Sequence, residues 1–143
     1  MSDVPFQIGG IDHVVLLVDD MDKALWFWCE VLGCARAFTY ADIGMEQVWA
    51  GTALIGLWDI SNPKAQMAKP AIAGGRNMDH VALSLGPFDW DAMRAHLARH
   101  GVEIEREERQ GGSRGIGPAL YVYDPAGNRV ELKGPPDYPD RPG

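Results

Sequence analysis

The sequence is poor in cysteine and contains no long apolar run. Only Cys29 and Cys34 occur among the 143 residues, too few for a disulfide scaffold, and their spacing matches no metal-binding knuckle. No apolar stretch approaches the roughly 20 residues that cross a bilayer, and the acidic N-terminus lacks a signal-peptide pattern. These absences argue against a disulfide-rich secreted domain and a transmembrane protein. We expect an intracellular, cytoplasmic location with both thiols free.

Basic charge is also scarce. The chain carries 13 Lys and Arg against 20 Asp and Glu, which gives a formal net charge of −7. A surface that binds nucleic acid or an anionic membrane needs clustered Lys and Arg, and the sequence has no such run. We therefore expect a small-molecule substrate as the partner, with no nucleic acid and no membrane.

Two short stretches nearly repeat each other. Residues 11–16 read Ile-Asp-His-Val-Val-Leu, and residues 78–83 read Met-Asp-His-Val-Ala-Leu. Each places a histidine at the start of a predicted strand. Because the predicted elements that follow also recur in the same order, the chain reads as a duplicated module. One repeat of about 65 residues would be marginally stable alone, so the two halves are expected to pair.

Each half predicts the order β, α, β, β, β. Asp20 and Asp89 are the predicted helix N-caps, and Gly33 and Gly101 end the helices. The predicted strands of the first half are residues 11–18, 35–40, 47–50 and 53–58. Those of the second half are residues 80–85, 102–106, 119–123 and 129–133.

These elements set the predicted domain organisation. A first βαβββ module spans residues 11–60 and a second spans residues 78–133. The flanking segments are an N-terminal extension (1–10), a linker rich in Pro, Gly and Ala (61–77) and a flexible tail (134–143). The glycine-rich residues 110–117 predict a loop over a cavity. Together the two modules form one domain.

Strand alternation predicts which side chains share a face with the two histidines. His13 and His80 point away from the face that the helices cover, because successive strand residues alternate sides. The turn at residues 124–128 sets Tyr121 opposite Glu131, which puts Glu131 on the same open face. A lone buried carboxylate is costly, so we expect a cation beside it. Two imidazoles and one carboxylate suit Fe2+, Mn2+, Ni2+, Co2+ or Zn2+.

Each of these residues also has a simpler interpretation. A strand histidine is commonly a hydrogen-bonded packing residue, and Glu131 could form a weak surface ion pair with Arg129 or Lys133. Tyr121 is a candidate acid or hydrogen-bond donor, or a packing residue. Three further candidate substrate contacts on the open face, which could equally belong to an ordinary core, are Trp49, Trp58 and Met78. Gln47 could bind substrate, take a ligand position or simply hydrogen-bond locally.

The motifs resemble the vicinal oxygen chelate superfamily, which includes glyoxalase I, extradiol dioxygenases, fosfomycin-resistance enzymes and bleomycin-resistance proteins. The resemblance spans residues 11–133 and rests on segments 12–14, 26–33, 79–83 and 124–132. It implies an α+β fold in which paired βαβββ modules form an open eight-stranded cup around one divalent metal ion. It also implies His13, His80 and Glu131 as the ligands. In many short members the cup is completed in a homodimer, so that His13 of one chain would join His80 and Glu131 of the other.

The resemblance does not select one reaction. Glyoxalase I enzymes typically bring a fourth ligand, a carboxylate, from the position that Gly56 occupies here. Gln47 is predicted to lie opposite Gly56, and Glu46 is predicted to point away. The closing signature of the extradiol dioxygenases is matched from Tyr121 to Glu131, but its upstream histidine is missing at residues 112–114. Metal-dependent lyase, isomerase or ring-cleaving dioxygenase chemistry is therefore expected.

Two other functions stay open at this point. One is a non-catalytic protein that sequesters an antibiotic or another small molecule, as in bleomycin resistance. Such proteins usually lack the three metal ligands. The other is a fosfomycin-modifying enzyme, which is less favoured because only the scattered Arg76, Arg114 and Arg129 are available to bind a phosphonate.

Overall fold

The computed structural model describes residue 7 and residues 11–68 and 78–137. The first module consists of β1 (His13–Val18), α1 (Met21–Leu25) with a π-helical continuation (Trp26–Val31), β2 (Ala35–Tyr40), β3 (Met45–Ala50) and β4 (Ala53–Asp59). A short 3₁₀ helix follows at Pro63–Met67. The second module consists of β5 (Val81–Ser84), α2 (Trp90–Arg99), β6 (Arg106–Gln110), β7 (Gly117–Tyr123) and β8 (Arg129–Lys133). Most of the predicted extension, the second half of the predicted linker and most of the predicted tail lie outside the described residues.

Each module contributes one four-stranded sheet of the same topology. The strand orders are β1-β4-β3-β2 and β5-β8-β7-β6. In both sheets the first strand pairs in parallel with the last, and the other pairs are antiparallel. The predicted fold class of paired βαβββ modules is thereby confirmed. The candidate ligands His13 and Glu131 lie in β1 and β8, and His80 directly precedes β5, so all three belong to the regions of these parallel pairs.

Side-chain caps and glycines set the helix limits as predicted. Asp20 accepts a hydrogen bond from the backbone N–H of Lys23, and Asp89 accepts one from Ala92. The chain turns after each helix at Gly33 and Gly101, both of which have positive φ. The π-helical turn Trp26–Val31 was not predicted, because an apolar stripe on one helix face does not distinguish α from π winding.

The predicted strand at residues 102–106 is wrong in its position. The strand β6 begins only at Arg106, where it pairs with Tyr121, and it extends to Gln110. Val102 and Ile104 lie against the core without belonging to a strand. Their apolar alternation therefore reflects burial of an irregular segment, which produces the same pattern as a half-buried strand.

One hydrophobic core joins the two modules. Fully buried Trp28 of the first module packs in the same cluster as residues of β7 and β8, and its Nε1–H donates to Asp124 Oδ2 at 3.3 Å. Asn128 Nδ2 donates to the backbone oxygen of Leu17 at 3.1 Å. The turn that connects β7 to β8 is therefore bonded to the first module. No helix among the described residues has the length and apolar character needed to cross a membrane.

Both cysteines are free thiols, as predicted. Burial raises the pKa of Cys34 to about 11, with a smaller contribution from neighbouring Cys29. Burial also raises the pKa of Cys29. Because the thiolate is the reactive form, neither residue is an activated nucleophile at neutral pH.

Candidate metal centre

His80 and Glu131 meet on the open face of the second sheet. Glu131 lies in β8 between Ala82 of β5 and Tyr121 of β7, which confirms the predicted register of Tyr121. His80 directly precedes β5, and its Nε2 lies 3.0 Å from Glu131 Oε2. Glu131 is only 4% exposed. A nearly buried carboxylate thus faces an imidazole nitrogen.

The hydrogen bonds of His80 leave a place for a cation. Its Nδ1 lies 2.6 Å from Asp79 Oδ2, and because a carboxylate only accepts, Nδ1 carries the proton. In the neutral imidazole, Nε2 then presents a lone pair to a carboxylate oxygen 3.0 Å away. Two facing lone pairs repel, so either a proton or a metal ion must lie between the two groups.

The buried carboxylate has further coordination capacity. Glu131 Oε1 is buried and has no hydrogen-bond partner among the residues that the structure describes. Imidazole and carboxylate are common ligands of first-row divalent metals, with bonds of about 2.0–2.2 Å, so two adjacent ligands of one ion lie roughly 3 Å apart. The pair of His80 and Glu131 therefore fits a divalent cation.

A chain of charged groups orients His80. Arg129 donates to Asp79 Oδ2 at 2.9 Å and to both oxygens of Glu105 at 2.8 and 3.2 Å. The hydrogen bond to His80, followed by the charge of Arg129, lowers the pKa of Asp79 below its ordinary value. Such a carboxylate behind a ligating histidine fixes the ring and its tautomer. Sequence reasoning did not assign Asp79 or Arg129 to this role, although an Asp precedes the histidine in both repeats.

Replacing Asp79 with asparagine should lower the affinity for divalent metal by about 10–100-fold, as is typical for a partner of a metal-ligating histidine. The uncharged amide holds the imidazole less firmly and no longer attracts Arg129. Isothermal titration with Mn2+ or Zn2+ measures the change. Asp91→Asn, at an exposed carboxylate in the first turn of α2, is the matched control. Equal metal affinity in the two variants would remove Asp79 from the site.

His13 has the same local arrangement as His80 but a different location. Its Nδ1 lies 2.7 Å from Asp12 Oδ1, and its half-exposed ring belongs to β1 in the first sheet. Within residues 11–68 and 78–137 of one chain, no three His, Cys, Asp or Glu side chains form a group that could hold a metal ion. One chain therefore brings together two of the three predicted ligands.

Tyr121 lies at the centre of the face that carries His80 and Glu131. Its ring centroid is 5.5 Å from that of His80, and the guanidinium carbons of Arg106 and Arg129 lie 4.7 and 4.5 Å from it. Burial, followed by the charge of Glu131, raises the pKa of Tyr121 above its ordinary value. The phenol is thus protonated at neutral pH and can donate a hydrogen bond. Sequence reasoning missed Arg106.

The first sheet has no carboxylate where a fourth ligand was considered. Gln47 lies opposite Gly56, as predicted. A Cβ atom at Gly56 would lie 3.2 Å from Val15 Cγ2 and 3.3 Å from Met45 Sδ, so the space there is already narrow. Gln47 is thus the polar side chain at this position of the face that carries His13.

Glu46 points to the other side of the first sheet, as predicted. It pairs with Leu57, which is fully buried on the core side. Its carboxylate Oε2 accepts hydrogen bonds from Arg36 at 2.7 Å and Thr39 at 2.6 Å. Because these partners occupy it, Glu46 is a structural group of the first module.

The predicted substrate contacts Trp49, Trp58 and Met78 differ in exposure. Trp49 is 44% exposed and Met78 is 48% exposed. Trp58 is more covered, and its Nε1–H donates to the backbone oxygen of Ile43 at 2.8 Å, which fixes the ring. Val15, next to His13 on the same face, is also exposed. In a single chain, the face that carries His13 is therefore apolar and open.

The sequence matches the family described as Glyoxalase/Bleomycin resistance protein/Dioxygenase superfamily over residues 10–132. It is 26% identical over 129 residues to a protein of Serratia marcescens named Glutathione transferase FosA, covering 88% of this chain and 81% of that protein.

Two solved structures share the fold. A mutant of the fosfomycin resistance protein FosX of Listeria monocytogenes, complexed with Mn(II) and 1S,2S-dihydroxypropylphosphonic acid, aligns with a TM-score of 0.67 at 18% identity, covering 90% of this chain and 94% of that one. Lactoylglutathione lyase from Agrobacterium tumefaciens aligns with a TM-score of 0.63 at 20% identity, covering 89% of this chain and 94% of that one.

Proposed function

Because the chain belongs to the Glyoxalase/Bleomycin resistance protein/Dioxygenase superfamily, we propose that it is a divalent-metal-dependent enzyme that binds two adjacent oxygens of a small substrate. The observation that carries this proposal is the pair formed by His80 Nε2 and Glu131 Oε2 at 3.0 Å, with Asp79 holding the opposite nitrogen of the ring. A divalent cation would fit between these two groups. His80 and Glu131 supply two protein ligands, and water or substrate oxygens fill the open positions.

The third proposed ligand is His13 of the partner subunit in a homodimer. One chain leaves His13 away from the pair of His80 and Glu131, and it leaves Val15 and Trp49 exposed on the same open face. A second copy that covers this face would bury apolar surface, which favours association. In a symmetric dimer the same contact forms twice, so two equivalent sites result.

The side chains around the pair support chemistry on a polarised substrate oxygen. When bound, a divalent cation stabilises the negative charge of an enolate-like or catecholate-like species. Tyr121 is protonated and can donate a hydrogen bond to a substrate oxygen, and the guanidinium groups of Arg106 and Arg129 hold its ring in place. From the partner's first sheet, Gln47 would offer an amide, and Trp49 an apolar surface.

A reaction on a phosphonate substrate is the second candidate. The relative named FosA is called a glutathione transferase, and the FosX structure contains Mn(II) with a vicinal diol that carries a phosphonate. In the sequence alone the arginines are scattered. In the structure Arg114 lines one cavity with Glu131, which supports this candidate, whereas Arg129 is already paired with Asp79 and Glu105. Arg76 lies outside the described residues.

Metal analysis of protein purified without chelator tests the proposed function. We expect about one divalent ion per chain, removal by EDTA, and a stabilisation by restored metal that reaches about 4 kcal/mol at 1,000 times the dissociation constant. Activity is then screened with catechols under oxygen, with the methylglyoxal–glutathione adduct, and with fosfomycin plus thiols. Protein that takes up no metal yet binds a ligand tightly would instead be a sequestering protein.

A further inference from the structure

A small cavity lies beside Glu131 on the open face of the second sheet. Its volume is about 80 Å³, several times the roughly 10–15 Å³ that a cavity needs to hold one water molecule. Ser84, Arg114, Glu131 and Lys133 contribute to its lining. The loop that connects β6 to β7 covers it, which agrees with the predicted loop over a cavity. The cavity therefore adjoins the candidate metal centre, with which it shares Glu131.

Lys133 is an unusual cation for such a position. It follows Glu131 by two residues in β8, so both side chains lie on the same face, between Ser84 of β5 and Ala119 of β7. Lys133 is only 6% exposed. Its Nζ donates to the backbone oxygen of Gly134 at 3.1 Å, and no carboxylate of the described residues lies within ion-pair distance. A nearly buried ammonium group without an anion is costly.

The covering loop adds a second cation. Gly112 lies against the Lys133 side chain, since a Cβ atom there would be 3.6 Å from Lys133 Cε. Arg114 donates from Nη2 to the backbone oxygen of Lys133 at 3.1 Å and forms no ion pair with the described carboxylates. Two positive groups therefore meet at one cavity, next to a carboxylate that is already engaged by His80.

We propose that Lys133 and Arg114 form a subsite for an oxyanion group of the substrate, such as a carboxylate, phosphonate or phosphate. The inference rests on the proposed function, because it places the acidic group of the substrate beside the oxygens that bind the cation. Arg114 offers guanidinium donors and Lys133 a point charge, a combination suited to an oxyanion. Ser84 adds a hydroxyl donor at the cavity wall.

Titration of the full-length chain with methylphosphonate and with inorganic phosphate tests the subsite, in metal-free and in Mn2+-loaded protein. We expect Lys133→Met to weaken anion binding at least tenfold, while Lys133→Arg retains most of it. Lys64→Met, at an exposed lysine of the 3₁₀ helix, is the control and should bind as the wild type does. Arg114→Gln gives an independent second variant, with circular dichroism to verify folding. Unchanged anion affinity in Lys133→Met and Arg114→Gln, or no anion binding to the wild type, overturns the proposal.

Two further comparisons separate this inference from its premise. Anion binding that depends on Lys133 in a protein that takes up no metal would support the subsite while the proposed function fails. If the protein takes up metal but its anion affinity does not change when Lys133 is replaced, the proposed function is supported and the subsite fails. In the Mn2+-loaded protein, 2-hydroxyethylphosphonate, which adds a hydroxyl group able to bind the cation, should bind more tightly than methylphosphonate. Equal affinities would contradict the placement of the anion beside the cation.

Discussion

Replacing Glu131 with glutamine is expected to lower the affinity for divalent metal by more than about 100-fold, beyond the range seen for groups that only orient a ligand. The substitution keeps the size of the side chain and removes the negative charge that faces His80 Nε2. Activity on any substrate identified in the screen should fall with it. Isothermal titration with Mn2+ and metal analysis after dialysis measure the loss directly.

The same variant should not destabilise the metal-free protein. The wild-type carboxylate is nearly buried, and its Oε1 lacks a partner in the described part of the chain, so its charge is an electrostatic burden when no cation is bound. We expect the melting temperature of the metal-free variant to equal or exceed that of the metal-free wild type. Adding metal should raise the melting temperature of the wild type but not that of the variant.

Glu46→Gln is the matched control for this experiment. Its carboxylate accepts from Arg36 and Thr39 in the first sheet, so the substitution should cost stability but leave metal affinity intact. If Glu131→Gln instead lowers the melting temperature of the metal-free protein and retains its affinity for metal, Glu131 is a structural residue and the proposed centre is wrong.

Mixing two inactive variants is expected to restore metal sites if the centre is shared between subunits. His13→Ala keeps His80 and Glu131, and Glu131→Gln keeps His13. A heterodimer of the two has one complete site and one doubly defective site, so random exchange should restore about a quarter of the wild-type sites. Metal content after denaturation and joint refolding of the two variants measures the recovery.

A second mixture controls for nonspecific rescue. His80→Ala and Glu131→Gln both damage the second module, so each site of their heterodimer contains a damaged module and no recovery is expected. Each variant refolded alone gives the baseline. If the pair of His13→Ala and Glu131→Gln recovers no more metal than this control, the two subunits do not share the site.

The duplicated histidine motif made much of the fold predictable. Because the strand period is two, residues 11–18 and 129–133 place His13 and Glu131 on the open faces before any coordinates are known. The paired sheets and the register of Tyr121 agree with that prediction. Helix caps at Asp20 and Asp89 were likewise predictable, since they depend only on neighbours within a turn.

The rest depends on contacts between distant segments. Arg129 reaches Asp79 across 50 positions of sequence, and Arg114 reaches Lys133 across 19. Neither spacing follows a helix or strand period, so no local pattern indicates it. The start of β6 at Arg106 was also missed, because burial of Val102 and Ile104 imitates a strand.

The position of the two candidate ligands within the sheet bears on which ions can be accepted. Glu131 belongs to a central strand whose neighbours hydrogen-bond it on both sides, whereas His80 precedes the first ladder pair between Val81 and Val130. The carboxylate is thus held by the sheet itself, whereas the imidazole is held through the side chains of Asp79 and Arg129. If the proposed centre binds a metal, a difference in ionic radius would have to be taken up by this group of side chains, since the strand that carries Glu131 is paired on both sides.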